Sequence, residues 1–339
     1  MNGRRLSLAA GLAAMCAIFA VSVAPVAGQS KSAAPRDPNG HPDLQGIWSY
    51  ATVTPLERPD ALAGKATFAS DDEVAEFEKT TVENRNQDRR DGAGTNADVS
   101  RAYNDFWWDR GTKVLGRQTS LVVDPADGRV PALTPQAQQR QAQRAEARRA
   151  ITTDADNPED RSLWERCVTR ALPMLPGAYN NNIKIVQTKD YVMVMQEMIH
   201  EVRIIPTDGR PHSKVRQWHG SSRGHWEGDT LVVETINFSD KTNFRGSSEN
   251  LKLVERFSRS DAGTLMYRVT IEDPTTFTKP WTIEIPLTKA DEKANQIYES
   301  SCYEGNYAMT SILAGARALE KEKPAATAKP KPRPATSTP

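Results

Sequence analysis

From residue 183 to 303 the sequence is cut into short runs in which β-branched and apolar residues alternate with polar ones, separated by TKD, TDG, EGD, SDA and DPTT. Such spacing admits little besides antiparallel strands joined by tight turns. Strands are predicted over 183–188, 191–200, 202–205, 214–218, 230–237, 251–259, 264–272, 281–287 and 296–303. A meander of that length does not stay flat, so it is expected to close as a calycin- or lipocalin-like barrel or to fold over as a sandwich. Alternation then assigns faces: Leu265, Tyr267, Val269 and Ile271 share one side, and Met266, Arg268, Thr270 and Glu272 the other. Leu253 and Phe257 likewise oppose Lys252 and Arg256. The apolar face suits either the lining of a ligand-holding barrel or a floor beneath the N-terminal segments, and the sequence leaves both open.

The first 28 residues carry Arg4 and Arg5, an apolar run, and the small-residue site Val26-Ala27-Gly28, the pattern of a cleaved secretory signal peptide. The run is interrupted by Ser7 and Ser22 and stops at Pro25, short of the roughly 20 apolar residues of a membrane span. The mature chain is therefore expected to be periplasmic or extracellular, with no membrane span. Residues 29–165 read as an irregular, partly helical N-terminal segment with a first strand near 44–50. Within it, SDDEVAEF from Ser70 has the Ser…Glu spacing of a capping box and predicts a helix to about Arg90. TPQAQQRQAQRAEARRA from Thr134 predicts a helix whose only apolar residues are alanines, suited to an exposed spacer. Residues 166–318 form the β-meander domain, and from 319 a Lys/Pro/Ala-rich tail without large apolar residues is expected to be disordered.

Cleavage after Gly28 removes two of the 44 basic residues and none of the 43 acidic ones, so the mature chain is nearly neutral. It has no global field to draw nucleic acid, and no nucleic-acid partner is expected. Cell-envelope contact through the basic tail stays open. Cleavage also removes Cys16 and leaves Cys167 and Cys302, an even pair that an oxidising compartment joins as a disulfide. Closing so long a loop contributes about 4 to 5 kcal/mol in the chain-entropy model.

Gly46 and Trp48 in DLQGIWSY, and Gly224 and Trp226 in RGHWEGD, are G-x-W strand openings. These resemble the first strand of lipocalin-type barrels, in which the tryptophan plugs the closed end. PDLQGIWSYATVTPLERP, NDFWWDRGTKV, LPGAYNNN, IHEVRIIPTDGRPH, GHWEGDTLVVETINFSDKTNFRG and EDPTTFTKPWT together resemble a family of secreted bacterial proteins of unassigned activity. The resemblance implies secretion and neither a reaction nor catalytic residues.

The candidate chemistry is concentrated in MIHEVRIIPTDGRPH. If residues 191–200 continue as strand, His200 and Glu201 point to opposite faces, and Glu201 shares a face with Arg203. The turn at Asp208-Gly209 leaves Arg210 and His212 at its exit. An imidazole titrates near neutrality, so His200 and His212 are the candidate bases, with Arg203 and Arg210 to meet developing negative charge. Tyr179, Asn180, Asn181 and Asn182 suit a sugar- or polyol-binding rim, with the amides supplying paired donors and acceptors; amide runs at a strand entry equally satisfy turn backbone. Glu234 and Glu255 lie in apolar strands and need cationic partners, for which Arg245, Arg256 and Arg268 are near in sequence. His212, His219 and His225 lack H-x-x-x-H spacing, and DGAGTN lacks the third glycine and the preceding strand of a dinucleotide fingerprint, so neither metal nor cofactor is expected. No G-x-S-x-G elbow supports a serine nucleophile.

These readings lead to a secreted barrel that binds a small organic ligand, sugar-like or aromatic. The alternatives are a hydrolase or lyase working in the same cavity, and an envelope-associated interaction protein. All turn on whether the two histidines and an arginine converge.

Overall fold

The computed structural model describes residues 34–322, apart from 91, 97, 99–103, 151–154, 171, 243 and 248. The segment read as a signal peptide, with Cys16, and the residues beyond 322 lie outside the described residues. The described chain is mainly antiparallel β, and its sheet nearly closes into a barrel. The strands are β1 (Gly46–Ser49), β2 (Val122–Asp124), β3 (Asn182–Gln187), β4 (Tyr191–Gln196), β5 (Val202–Pro206), β6 (Ser221–Glu227), β7 (Thr230–Ile236), β8 (Lys252–Arg259), β9 (Thr264–Glu272) and β10 (Trp281–Lys289). The described residues also hold three α-helices: α1 (Asp71–Arg85), α2 (Pro135–Ala150) and, after the last strand, α3 (Ala308–Glu322). α3 runs four residues into the segment read as tail.

The sheet order is β5-β4-β3-β1-β10-β9-β8-β7-β6, with β2 paired on the side to β10. The meander is therefore in two pieces, and β1 from the N-terminal segment bridges them, Trp48 pairing with Ile183 on β3 and with Lys289 on β10. Every pairing along this path is antiparallel. An odd number of alternating strands makes the two end strands point the same way. Closure between β5 and β6 would thus need a parallel ladder, which is slanted and slightly weaker. The two lie side by side without one. A Cβ on Gly224 of β6 would come 3.0 Å from the Ile205 methyl and 3.1 Å from that of Thr207 on the β5 side, so a larger residue would crowd the seam.

Inward positions are filled by side chains. Trp48, Ile183, Val233, Leu253, Phe257, Tyr267, Val269, Ile283 and Ile285 are buried in one cluster. The faces assigned by alternation to β8 and β9 are those observed, with Phe257 registered on Tyr267 and Leu253 on Ile271. The two G-x-W glycines differ in cause. Gly46 has a φ of +122°, which L side chains rarely adopt, whereas Gly224 sits where the Ile205 and Thr207 side chains come close. The tryptophans differ too: Trp48 is fully buried, donates Nε1–H to the Leu44 carbonyl at 2.9 Å and lies 4.7 Å beneath the Arg259 guanidinium. Trp226 stacks on His41 at 4.3 Å.

Three predicted elements need correction. Residues 214–218 are not a strand; Gln217 makes only an isolated bridge to Phe238, and the strand begins at Ser221, after the chain has turned at Gly220. Residues 197–200 leave the sheet, because Ile199 and His200 adopt positive φ (62° and 46°) in a short 3-10 turn. Residues 296–303 have no strand partner and run as a strap held to residues 167 and 199–200 by Cys302, Ser300 and Tyr303. α1 starts as predicted, Ser70 Oγ accepting from Glu73 N at 3.2 Å, and ends at Arg85 rather than Arg90. Its Val74, Phe77 and Val82 cover a satellite core of Val53, Phe68 and Val114.

Candidate functional site

A cleft of about 740 Å³ opens at the β5–β6 seam, lined by Glu201, Val202, Arg203, Gln217, Trp218, His219, Ser222 and Lys241 among others. The segment before β6 supplies its aromatic and imidazole groups, and the residue after the 3-10 turn, Glu201, and Asp240 after β7 supply its carboxylates. His219 Nε2 lies 2.8 Å from Glu201 Oε1 and 2.6 Å from Thr169 Oγ1. Glu201 Oε2 accepts from the Arg170 backbone N–H at 2.8 Å, which fixes the carboxylate plane. An ionised carboxylate only accepts, so this contact places the proton on His219 Nε2. In the neutral ring Nδ1 then carries the lone pair, and it has no hydrogen-bond partner among the described residues. A histidine so arranged can take a proton from a molecule in the cleft.

Behind the cleft, Arg203 crosses the seam and reaches the barrel interior. Its NH2 donates to Glu255 Oε1 at 2.9 Å and its NH1 to Glu255 Oε2. Tyr267 OH donates to the same Oε1 at 3.0 Å, and Ser222 Oγ meets Thr235 Oγ1 at 2.9 Å beside the pair. Burial disfavours the Arg203 charge, but the adjacent Glu255 carboxylate outweighs it and holds the guanidinium pKa up. Burial, reinforced by the Glu255 charge, pushes the Tyr267 phenol well up. The interior thus carries a satisfied ion pair whose arginine also walls the cleft.

The residues expected to share one cavity are distributed over separate places. Arg203 lines the cleft and Glu255 stands behind it. His200, exposed, donates Nδ1–H to the Ser300 carbonyl at 3.0 Å and anchors the strap. His212 donates Nδ1–H to the Ser221 carbonyl at 2.8 Å and lies 3.3 Å from Glu234, which also pairs with Lys252 at 2.8 Å on the outer face. Arg210 folds onto Asp208 of its own turn and donates to Tyr191 OH at 2.7 Å. Arg268 meets Glu284 at 3.1 Å on the barrel's outside. In LPGAYNNN, the Asn181 amide is spent on backbone, accepting from Gly177 N at 2.7 Å and donating to the Gly177 and Asp109 carbonyls. Asn182 donates to Glu197 at 2.9 Å, Asn180 takes a positive φ of 57°, and Tyr179 lies 6.2 Å from Trp108.

Two local inferences are corrected by this geometry. Glu201 does not pair with Arg203 although both line the cleft: its carboxylate meets His219, and the Arg203 guanidinium turns to Glu255. Glu255 is met by Arg203 rather than by Arg245, Arg256 or Arg268, a pairing across the barrel that sequence proximity does not reveal. His219 was visible only as one histidine of a loose series. Nothing local marks its pairing with a residue eighteen positions earlier.

Lys252, and after it His212, holds the Glu234 carboxyl below the ordinary range. Its folded pKa being depressed, the group stabilises the fold above its unfolded pKa, and that contribution is lost as pH falls through the folded value. Glu234→Gln is expected to flatten the acid-side loss of stability slightly, as measured by urea unfolding at a series of pH values. The effect is small because the pair is substantially exposed.

The Cys167–Cys302 disulfide is formed, with Cα atoms 5.8 Å apart. It fixes the segment that carries Thr169. Among the described residues no group of three His, Cys, Asp or Glu side chains is arranged to hold a metal ion, and no helix is long and apolar enough to cross a membrane. No family model, curated protein or solved structure matches the chain.

Proposed function

We propose that this is a secreted β-barrel protein of lipocalin-like build that binds a small polar, sugar-like ligand at the β5–β6 seam instead of in the barrel lumen. The observation that carries this reading is the contrast between a lumen filled by Trp48, Phe257, Tyr267 and the Arg203–Glu255 pair and a seam cleft that sets one indole, Trp218, among hydroxyl, amide and charged groups. An aromatic face ringed by donors and acceptors suits a polyol, whose C–H face stacks while its hydroxyls bond. The disulfide and the N-terminal signal pattern support secretion.

A thermal-shift screen of sugars and phenolic compounds tests the reading, since a ligand that binds only the folded state raises its melting temperature. A sugar is expected to raise it saturably, and Trp218→Ala to weaken that ligand about five- to tenfold with the fold intact. No sugar response, or a response unchanged by Trp218→Ala, sinks the proposal.

A second reading rests on the His219–Glu201 contact: a hydrolase or lyase in which His219 Nδ1 is the general base and Glu201 orients the ring. His219→Ala would then lower turnover of an ester or glycoside substrate by about 10²- to 10⁴-fold without unfolding the protein. Equal turnover by wild type and variant removes this reading and leaves ligand binding standing.

A further inference from the structure

We infer that the protein has a second binding site, between α1 and the barrel, that takes a small organic carboxylate with an apolar body. Val74, Phe77 and Val82 form the inward stripe of α1, and Arg85 continues it at the helix's last residue. The helical period therefore aims a guanidinium where the stripe would otherwise place an apolar side chain. Arg85 meets Arg110 there, whose NH1 donates to the Arg85 carbonyl at 3.2 Å and whose guanidinium lies 3.7 Å over the Trp108 ring. Among the described residues the Arg85 side chain has no hydrogen bond or ion pair. Two arginines thus stand together with no carboxylate paired to either. Burial and the Arg110 charge both work against the Arg85 cation.

The two arginines sit between two adjoining pockets, and the linings differ. The smaller, about 340 Å³, already includes the carboxylates of Asp105 and Asp109. The larger, about 480 Å³, has no acidic residue in its lining; it offers Leu56, Leu121, Leu175 and Pro176 opposite the arginines, with Thr52 and Thr54 at the side. A guanidinium pair binds a carboxylate through charge-assisted hydrogen bonds, and the leucine wall accepts an alkyl or aryl body. The charge the protein leaves uncompensated is the charge the ligand brings. This site shares no lining residue with the seam cleft.

The mature full-length protein is titrated with sodium hexanoate, sodium acetate and the neutral hexanol, each against sodium chloride at matched ionic strength, following melting temperature. Hexanoate is expected to raise it saturably and more than acetate, and hexanol to give no comparable rise. Arg85→Gln is expected to weaken hexanoate about tenfold or more, without lowering the melting temperature of the ligand-free protein, because the side chain removed has no partner there. A hexanoate response no larger than that of chloride or hexanol overturns the proposal. So does an undiminished response in Arg85→Gln, or a ligand-free Arg85→Gln that melts clearly lower, which would make Arg85 a structural residue.

Discussion

Glu255→Ala is expected to lower the unfolding free energy by about 3 to 5 kcal/mol, the cost of leaving a buried charge uncompensated. Glu255 is fully buried, and its two oxygens take the Arg203 NH1 and NH2 donors and the Tyr267 hydroxyl. After truncation Arg203 keeps its proton, and its largely buried guanidinium has lost the carboxylate that compensated it. Against a typical domain stability of about 5 to 15 kcal/mol, a loss of that size shows as a large drop in urea midpoint. The measurement that isolates the cause is the apolar replacement of the whole network, Arg203→Met with Glu255→Leu and Tyr267→Phe. This variant is expected to recover most of the loss, since hydrophobic residues of similar volume commonly replace a buried pair at no net cost. If Glu255→Ala unfolds at the wild-type midpoint, the pair does not carry the energy assigned to it. If the triple variant is as unstable as the single one, the loss comes from packing rather than from the stranded charge.

The second large effect concerns the disulfide. Replacing Cys167 and Cys302 together by serine is expected to cost about 2 to 5 kcal/mol, the usual range for a native bridge. The bridge spans 135 residues of sequence and holds the C-terminal strap against the segment before β3. Other contacts that tie the strap down are few among the described residues: Tyr303 OH to the Cys167 carbonyl at 2.5 Å, and Ser300 to Ile199 and His200. Without the covalent link they must hold the strap on their own. Thr169 sits two residues beyond Cys167 and contacts His219, so the same variant is expected to bind the cleft ligand more weakly than its stability alone accounts for. Calorimetric melting of oxidised and reduced wild type, beside the double serine variant, checks this. An unchanged melting temperature on full reduction contradicts it.

Much of this could be anticipated from local pattern. Alternation at Leu253–Phe257 and Leu265–Ile271 set the inward face correctly, because side-chain direction in a strand is a property of the backbone and needs no partner. The cap at Ser70 and the cysteine pairing were readable for similar reasons, one being local geometry and the other a count. The errors have one common source. Residues 214–218 and 296–303 alternate as strands do, but a strand exists only where another edge offers a continuous ladder; 214–218 finds a single bridge, Gln217 to Phe238, and 296–303 pairs with no strand. At His200 the positive φ values at Ile199 and His200 reverse the chain, so face assignments carried across the turn from β4 fail.

The candidate site was less legible than the fold. Arg203, singled out in the sequence, lines the cleft, but Trp218 went unremarked and His219 was passed over for His200 and His212, which lie nearer the dense motif. By itself the sequence determined an antiparallel sheet of known inward face and the two cysteines that would bridge. Only the tertiary structure decided that β1 links the two halves of the meander and that Arg203 meets Glu255 across the barrel. It also decided that an odd strand count leaves a seam where His219 and Glu201 face a cleft. Side-chain direction and turn chemistry are written in neighbouring residues, whereas strand order and cross-barrel pairing depend on which distant edges meet.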